Sequence, residues 1–232
     1  MKYLEDFKRI GPKPGGTVPG WVARHKHGSK WIIKFPEHDI TAHNEVLAGK
    51  LYAAAGVRVP RLELIKYEGS NGVERYGVGS KFDSNLEHCR LDNQLTGLME
   101  GFLVDAWLAN WDVIGLEYDN VMRDEDGHAV RVDLGGSILF RAQGAPKGKL
   151  FGPEPLEVMT LLNKDINPQS AKVFREFREE DITAGMKCLN AVEDKQVREL
   201  VAECMLPEKV ANVLLQRKEK ITAMRGPKVT TH

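Results

Sequence analysis

An excess of charge of either sign is missing from this sequence. Its 232 residues carry 33 basic and 33 acidic side chains, a formal net charge of zero. A protein that grips nucleic acid through its phosphates is basic overall, so the balance argues against a general nucleic-acid binder while leaving room for local patches. Cysteine is scarce. Cys89, Cys188 and Cys204 lie far apart, fit no metal-ligand spacing, and as an odd number point to reduced thiols in a reducing compartment. Long apolar runs are absent, so no segment reads as a membrane span. Residues 1–10 are charged throughout and lack the apolar stretch of a secretory signal. The expected location is the cytoplasm, and delivery into a host cell by a signal-independent route would leave no trace here. No internal repeat and no long low-complexity tract occurs. A hydrophobic fraction of 42% excludes a disordered chain, and the length allows a substantial core.

Glycine and proline are concentrated in Gly11 to Gly20, GPKPGGTVPG, which reads as a loop. Trp21 to Phe35 reads as two strands around the turn His27-Gly28-Ser29. Thr41 to Ala55 reads as a helix that stops at Gly56. Arg61 to Lys66 and Arg75 to Lys81 read as a strand pair. Leu95, Leu98, Met99, Phe102, Leu103, Ala106 and Trp107 recur at three and four, which predicts a long amphipathic helix. Val121 to Arg123 and Ala129 to Val132 read as short strands around Asp126-Gly127. Residues 141 to 155 read as a loop. Leu156 to Met224 reads as helical, with Pro168 and Pro207 at helix starts. The expected class is α+β with two lobes. Residues 1–88 form a small antiparallel sheet with one helix, 89–224 a mainly helical part, and 225–232 a mobile polar tail.

Several residues invite chemistry. Lys34 closes the strand WIIK, and Glu45 follows eleven residues later in the helix. A strand lysine facing a helix glutamate forms an ion pair that fixes an ammonium for the phosphates of ATP. A solvated lysine and a surface glutamate account for the same two residues. Gly15, Gly16, Thr17 and Gly20 offer backbone amides for a phosphate cradle, or form a plain surface loop. Asn120 and Asp133 stand thirteen apart on the two flanks of the short hairpin. A hairpin joins its ends, so an amide oxygen and a carboxylate converge, which suits Mg²⁺. Asp112, upstream in an irregular stretch, is placed to accept a proton from an attacking hydroxyl. Each residue alone fits a turn or a cap; the set, in this order, favours chemistry. His25, His27, His38 and His43 read as a solvated group without a closing ligand for zinc. Trp107 reads as core. Asp105 lies off the apolar stripe and either braces the catalytic loop or is exposed. Arg141, Lys147 and Lys149 form a basic loop that contacts substrate or is simply solvated.

In this order the residues resemble the protein-kinase fold in an atypical, minimal form. Lys34 and Glu45 match its phosphate-binding lysine and the helix glutamate paired with it. Asp112 matches the catalytic-loop aspartate, Asn120 the magnesium asparagine, and Asp133-Leu134-Gly135 the Asp-Phe-Gly motif. The segment NEVLAGKLYAAAGVRVP, followed by LANWD, is similar to HipA-type kinases and to phosphoinositide-kinase-like bacterial effectors. The resemblance covers about Gly11 to Gly136. It implies ATP between two lobes, adenine near Val78 to Lys81 (Val78 and Ser80 among the contacts), and Mg²⁺ on Asn120 and Asp133. It also implies transfer of the γ-phosphate to a protein Ser or Thr.

The chain departs from the family at four points. Asn110-Trp111 stands in place of His-Arg. Val113 to Asp119 is an insertion that makes Asp119 a rival of Asp112. Leu134 replaces Phe, and no Ala-Pro-Glu follows, which puts the peptide platform in question. A small-molecule, lipid or RNA acceptor, AMP transfer, and a nucleotide-binding pseudokinase or structural domain remain as alternatives.

Overall fold

β-branched and aromatic residues put much of the first third of the chain into strands. The computed structural model describes residues 1–91 and 95–224, so the tail expected to be mobile lies outside the described residues. Six strands form one sheet: β1 (Lys2–Tyr3), β2 (Phe7–Pro12), β3 (Gly20–His25), β4 (Lys30–Lys34), β5 (Leu62–Glu68) and β6 (Glu74–Lys81). Their order is β1-β5-β6-β4-β3-β2. The sheet is antiparallel except at one edge, where β1 runs parallel to β5.

The two outermost strands differ from the sequence expectation. β2 runs through Gly11 and Pro12, which pair with Val22 and Trp21, and Gly20 opens β3. The expected loop therefore shrinks to residues 13–19. β2 is an edge strand with a register shift between Arg9 and Gly11, and such a position tolerates a proline. Gly20 answers a steric demand, since a Cβ there would stand 2.2 Å from the Ile33 carbonyl oxygen.

Helix α1 (Asp39–Ala54) is buried on nearly every side. It lies against β5 and β6, the short turn Leu134–Gly136, and helix α6 (Asp194–Glu203). A helix enclosed in this way needs no single apolar stripe. Close approach to β5 depends on Gly49, whose added Cβ would sit 2.6 Å from Leu62 Cδ1.

The second lobe begins with α2 (Phe102–Trp107), the hairpin β7 (Val121–Arg123) and β8 (Ala129–Arg131). Helices α3 (Glu157–Thr160), α4 (Pro168–Val173), α5 (Glu179–Ala191), α6 and α7 (Glu208–Ala223) complete it. Pro168 opens α4, and Pro207 directly precedes α7. The long helix predicted over 95–107 is a correction: only 102–107 is helical. Leu95, Leu98 and Met99 are buried as the spacing required, yet they sit in turns. Gly97 has φ 80°. The carbonyls of Gly97 and Leu98 accept hydrogen bonds from the Arg131 guanidinium at 2.9 and 2.8 Å. The same guanidinium pairs with the fully buried Asp105 at 2.9 Å. A buried arginine must have its donors satisfied, and this local backbone satisfies them at the expense of helix.

One apolar cluster runs from Ala42 on α1 through Trp107 to Ile221 on α7. A smaller one, Ala23, Trp31, Ile33 and Ile65, belongs to the sheet. His25 is buried edge-on against Phe7 at 4.8 Å, and His43 is buried against Tyr76 at 4.8 Å. These two histidines are therefore packing residues rather than part of a solvated face.

Candidate active site

The last residue of β4, the middle of α1 and the end of the β7–β8 hairpin meet at one point. Lys34 Nζ lies 2.5 Å from Glu45 Oε1 and 3.2 Å from Asp133 Oδ1. The second contact joins residues 99 positions apart. Burial draws the Lys34 ammonium down, but Glu45 and Asp133 outweigh it and hold its pKa above the ordinary lysine value. Burial pushes the Glu45 carboxyl up, with the Lys34 charge opposing. Asp133 is the open member of the group, its side chain 61% exposed against 14% for Lys34.

Asp112 and Asn120 are joined directly. Asn120 Nδ2 donates to the Asp112 carbonyl at 2.7 Å and to its Oδ2 at 3.3 Å. The amide nitrogen is thereby engaged, which leaves Asn120 Oδ1 as the group to offer a cation. The hairpin closes as expected, with Val132 N–H on the Asn120 carbonyl at 2.8 Å. Burial raises the Asp112 pKa, and the charges of Asp133 and Asp119 add to the rise against the Asn120 hydrogen bond. Asp119 is exposed, and the Asn120 side chain bonds Asp112. Gly115, with φ 75°, makes the insertion fit, because a Cβ there would stand 2.4 Å from Asp119 Oδ1.

The loop at 13–19 hangs between β2 and β3, and its end is tied to the residue after β4 by Phe35 N–H on the Pro19 carbonyl at 2.8 Å. Gly15 and Gly16 take φ 57° and 71°, values open to glycine at little cost. Lys13 folds back onto the Gly15 carbonyl. Burial lowers its pKa, Lys34 lowers it further, and Asp133 and Glu45 oppose. Lys13 thus shares the field of the Lys34 group.

The segment assigned to adenine requires correction. Val78 and Ser80 lie in β6, which has β5 on one side and β4 on the other. Val78 pairs with Leu64 and Lys34, and Ser80 with Leu62 and Ile32. A central strand has its backbone groups engaged on both sides, so these residues present no backbone edge to a base. The chain leaves the sheet only after Phe82, whose N–H bonds the Lys30 carbonyl at 2.9 Å.

Asp105 braces the loop that carries Asp112 through a relay. Tyr52 OH donates to Asp105 Oδ1 at 2.9 Å and accepts from Asn110 Nδ2 at 3.0 Å. Trp107 is core, its Nε1 on the Leu214 carbonyl at 2.8 Å. Lys147 is buried, contrary to the picture of a basic surface loop, whereas Arg141 and Lys149 are exposed. Spacing could not reveal the contacts of Asn44, Tyr52 or Lys147, because each joins segments distant in sequence. Among the described residues, Asp124, Asp126 and His128 also group as metal ligands would. Arg58 pairs with both of these aspartates, and the backbone N–H groups of Asp126 and His128 bond Asp124 Oδ1. That arrangement braces a turn.

No protein-family model and no curated protein sequence matches the chain. Its structure is similar to that of CtkA, a proinflammatory kinase of Helicobacter pylori, at a TM-score of 0.60. Identity is 11%, over 94% of this chain and 92% of that one. Golgi casein kinase with Mn/ADP bound scores 0.46 at 13% identity, covering 94% and 72%. The amicoumacin kinase hAmiN, in complex with AMP-PNP, Ca²⁺ and Ami, scores 0.40 at 8%, covering 94% and 88%. The last two scores carry no weight in the assignment. The chain has an atypical protein-kinase-like fold, α+β and two-lobed. Among the described residues no helix is long and apolar enough to cross a membrane.

Proposed function

We propose that the protein is an ATP-dependent phosphotransferase that uses a divalent cation, expected to be Mg²⁺. The observation that carries this is the contact of Lys34 with both Glu45 and Asp133, which assembles a phosphate-binding ammonium beside an open carboxylate. Residues 1–88 supply the nucleotide-phosphate contacts and 89–224 the catalytic and metal-binding loops. Lys34, held by Glu45, binds phosphate oxygens, and the loop at 13–19 covers them with the amides of Gly15, Gly16 and Thr17. Adenine lies against the segment that leaves the sheet after Phe82.

The donor set fits a hard cation: Asn120 Oδ1 and the Asp133 carboxylate are both oxygens, with phosphate oxygens left to complete the shell. Bound there, the ion would neutralise charge on the phosphates. Asp112 takes the proton of the acceptor hydroxyl as its oxygen bonds the γ-phosphorus. The bond from the β–γ bridging oxygen to the γ-phosphorus breaks, and ADP leaves.

The acceptor we favour is a protein Ser or Thr, by analogy of fold alone. The test is transfer of label from γ-labelled ATP, with α-labelled ATP run beside it. Wild type should transfer γ-label, and Lys34→Ala and Asp133→Ala should not. Label from the α-position would indicate AMP transfer instead. Magnesium-dependent ATP binding without turnover would indicate a pseudokinase.

A further inference from the structure

The chain that follows Asp133 is gripped from two sides by buried polar side chains with no part in the chemistry above. On one side is Asn44, fully buried on α1 next to Glu45. Its Nδ2 donates to the Ser137 carbonyl at 3.0 Å, and its Oδ1 accepts the Leu139 N–H at 3.0 Å. On the other side is Lys147, only 7% exposed. Its Nζ donates to the Ala109 carbonyl at 2.6 Å and to the Gly136 carbonyl at 2.9 Å. Its backbone N–H bonds the Leu139 carbonyl at 2.8 Å. Ala109 immediately precedes Asn110-Trp111-Asp112, and Gly136 ends the run that starts at Asp133. One lysine therefore ties the loop of Asp112 to the loop of Asp133, and one asparagine ties the latter to the helix of Glu45.

The joined segments hold unfavourable backbone. Ala109, Asp133 and Ile138 have φ of 53°, 50° and 51°. Such conformations cost energy in residues with a Cβ and persist where the surroundings enforce them. Stability alone gives a poor account of Lys147. It is buried near Arg217 and Arg141, with Glu157 the opposing charge, and burial is what most lowers its pKa. The amine held against that cost satisfies two buried carbonyls, one on each loop.

We propose that Lys147 and Asn44 are positioning residues that hold the Asp112 and Asp133 loops in register for phosphotransfer. This rests on the phosphotransferase reading.

Lys147→Met, Asn44→Leu and the double variant test it by steady-state kinetics and amide hydrogen exchange. Lys147→Met should lower kcat by about 30-fold or more while the KM for ATP changes by less than about threefold. The protein should remain folded, and exchange over 133–140 should quicken. Asn44→Leu should show the same split between kcat and KM. The double variant should be little worse than the poorer single, because both act on one segment. A Lys147→Met protein with kcat within about twofold of wild type and unchanged exchange would overturn the proposal. Loss of the folded state in both single variants would also overturn it, since a purely structural role predicts that. If wild type transfers no phosphate, the phosphotransferase reading fails, and the exchange data still decide whether these residues hold the loops.

Discussion

Asp112 faces a conflict that its neighbours set. Burial and the charges of Asp133 and Asp119 favour its neutral form, yet a proton acceptor must be ionised. A carboxyl raised in the folded state releases its proton at higher pH there than in the unfolded chain. Activity should therefore fall, as pH is lowered, at a pH above the ordinary aspartate range, read from the acid limb of kcat/KM. The ionised group also weighs against stability at neutral pH. Asp112→Asn keeps an oxygen for Asn120 and removes the charge, so it should abolish transfer and raise the thermal midpoint. Lys147 gives the opposite pH signature. Its pKa falls to about 7 from 10.5. Between those values the unfolded chain holds a proton that the folded chain has lost, so stability rises with pH by up to about 1.4 kcal/mol per unit. Urea unfolding from pH 7 to 10 should show this slope in wild type and not in Lys147→Met. A parallel slope in both would show that Lys147 does not titrate in this window.

At the scale of elements, most strands and helices could be read from the residues, and the exceptions have identifiable causes. The β3–β4 hairpin, α1, the β5–β6 pair and the β7–β8 hairpin follow from local propensity and turn chemistry. β2 was hidden because Gly11 and Pro12 look like loop residues and become strand only beside β3. The helix expected from Leu95 onward was lost to Arg131, which takes carbonyls that a helix would use. Periodicity reports which residues are buried and is blind to a distant guanidinium. The candidate site divides in the same way. Lys34, Glu45, Asp112, Asn120 and Asp133 could be picked out by order and spacing. That Val78 and Ser80 have strands on both sides could not be read from the residues, because the number of neighbours of β6 is a property of the whole sheet. Gly20 carries an element-scale prediction. A methyl group there presses on the Ile33 carbonyl and drives β3 from β4. Gly20→Ala should cost about 1–3 kcal/mol in chemical denaturation. An unchanged midpoint would mean that the strands relax freely.

At the scale of the whole molecule, the main apolar cluster does not stop between the lobes. It joins Leu47, Leu51 and Val78 of the first to Leu103, Trp107 and Leu214 of the second. A shared core couples the stability of both parts. Scanning calorimetry should give one transition whose calorimetric and van't Hoff enthalpies agree; two separated transitions would show lobes that fold independently. The zero net charge also gains meaning at this scale. Positive charge at Lys13 and Lys34 stands against negative charge at Glu45, Asp112 and Asp133, within one small region. The sum conceals a local field suited to a small, highly charged ligand. The most direct test is a crystal of the protein soaked with Mn²⁺ and a non-hydrolysable ATP analogue, measured for anomalous scattering. The kinase-like site predicts a manganese peak bound by Asn120 Oδ1 and the Asp133 carboxylate, with phosphates on Lys34. A peak only at the Asp124–Asp126–His128 turn, or nucleotide bound away from Lys34, would contradict it.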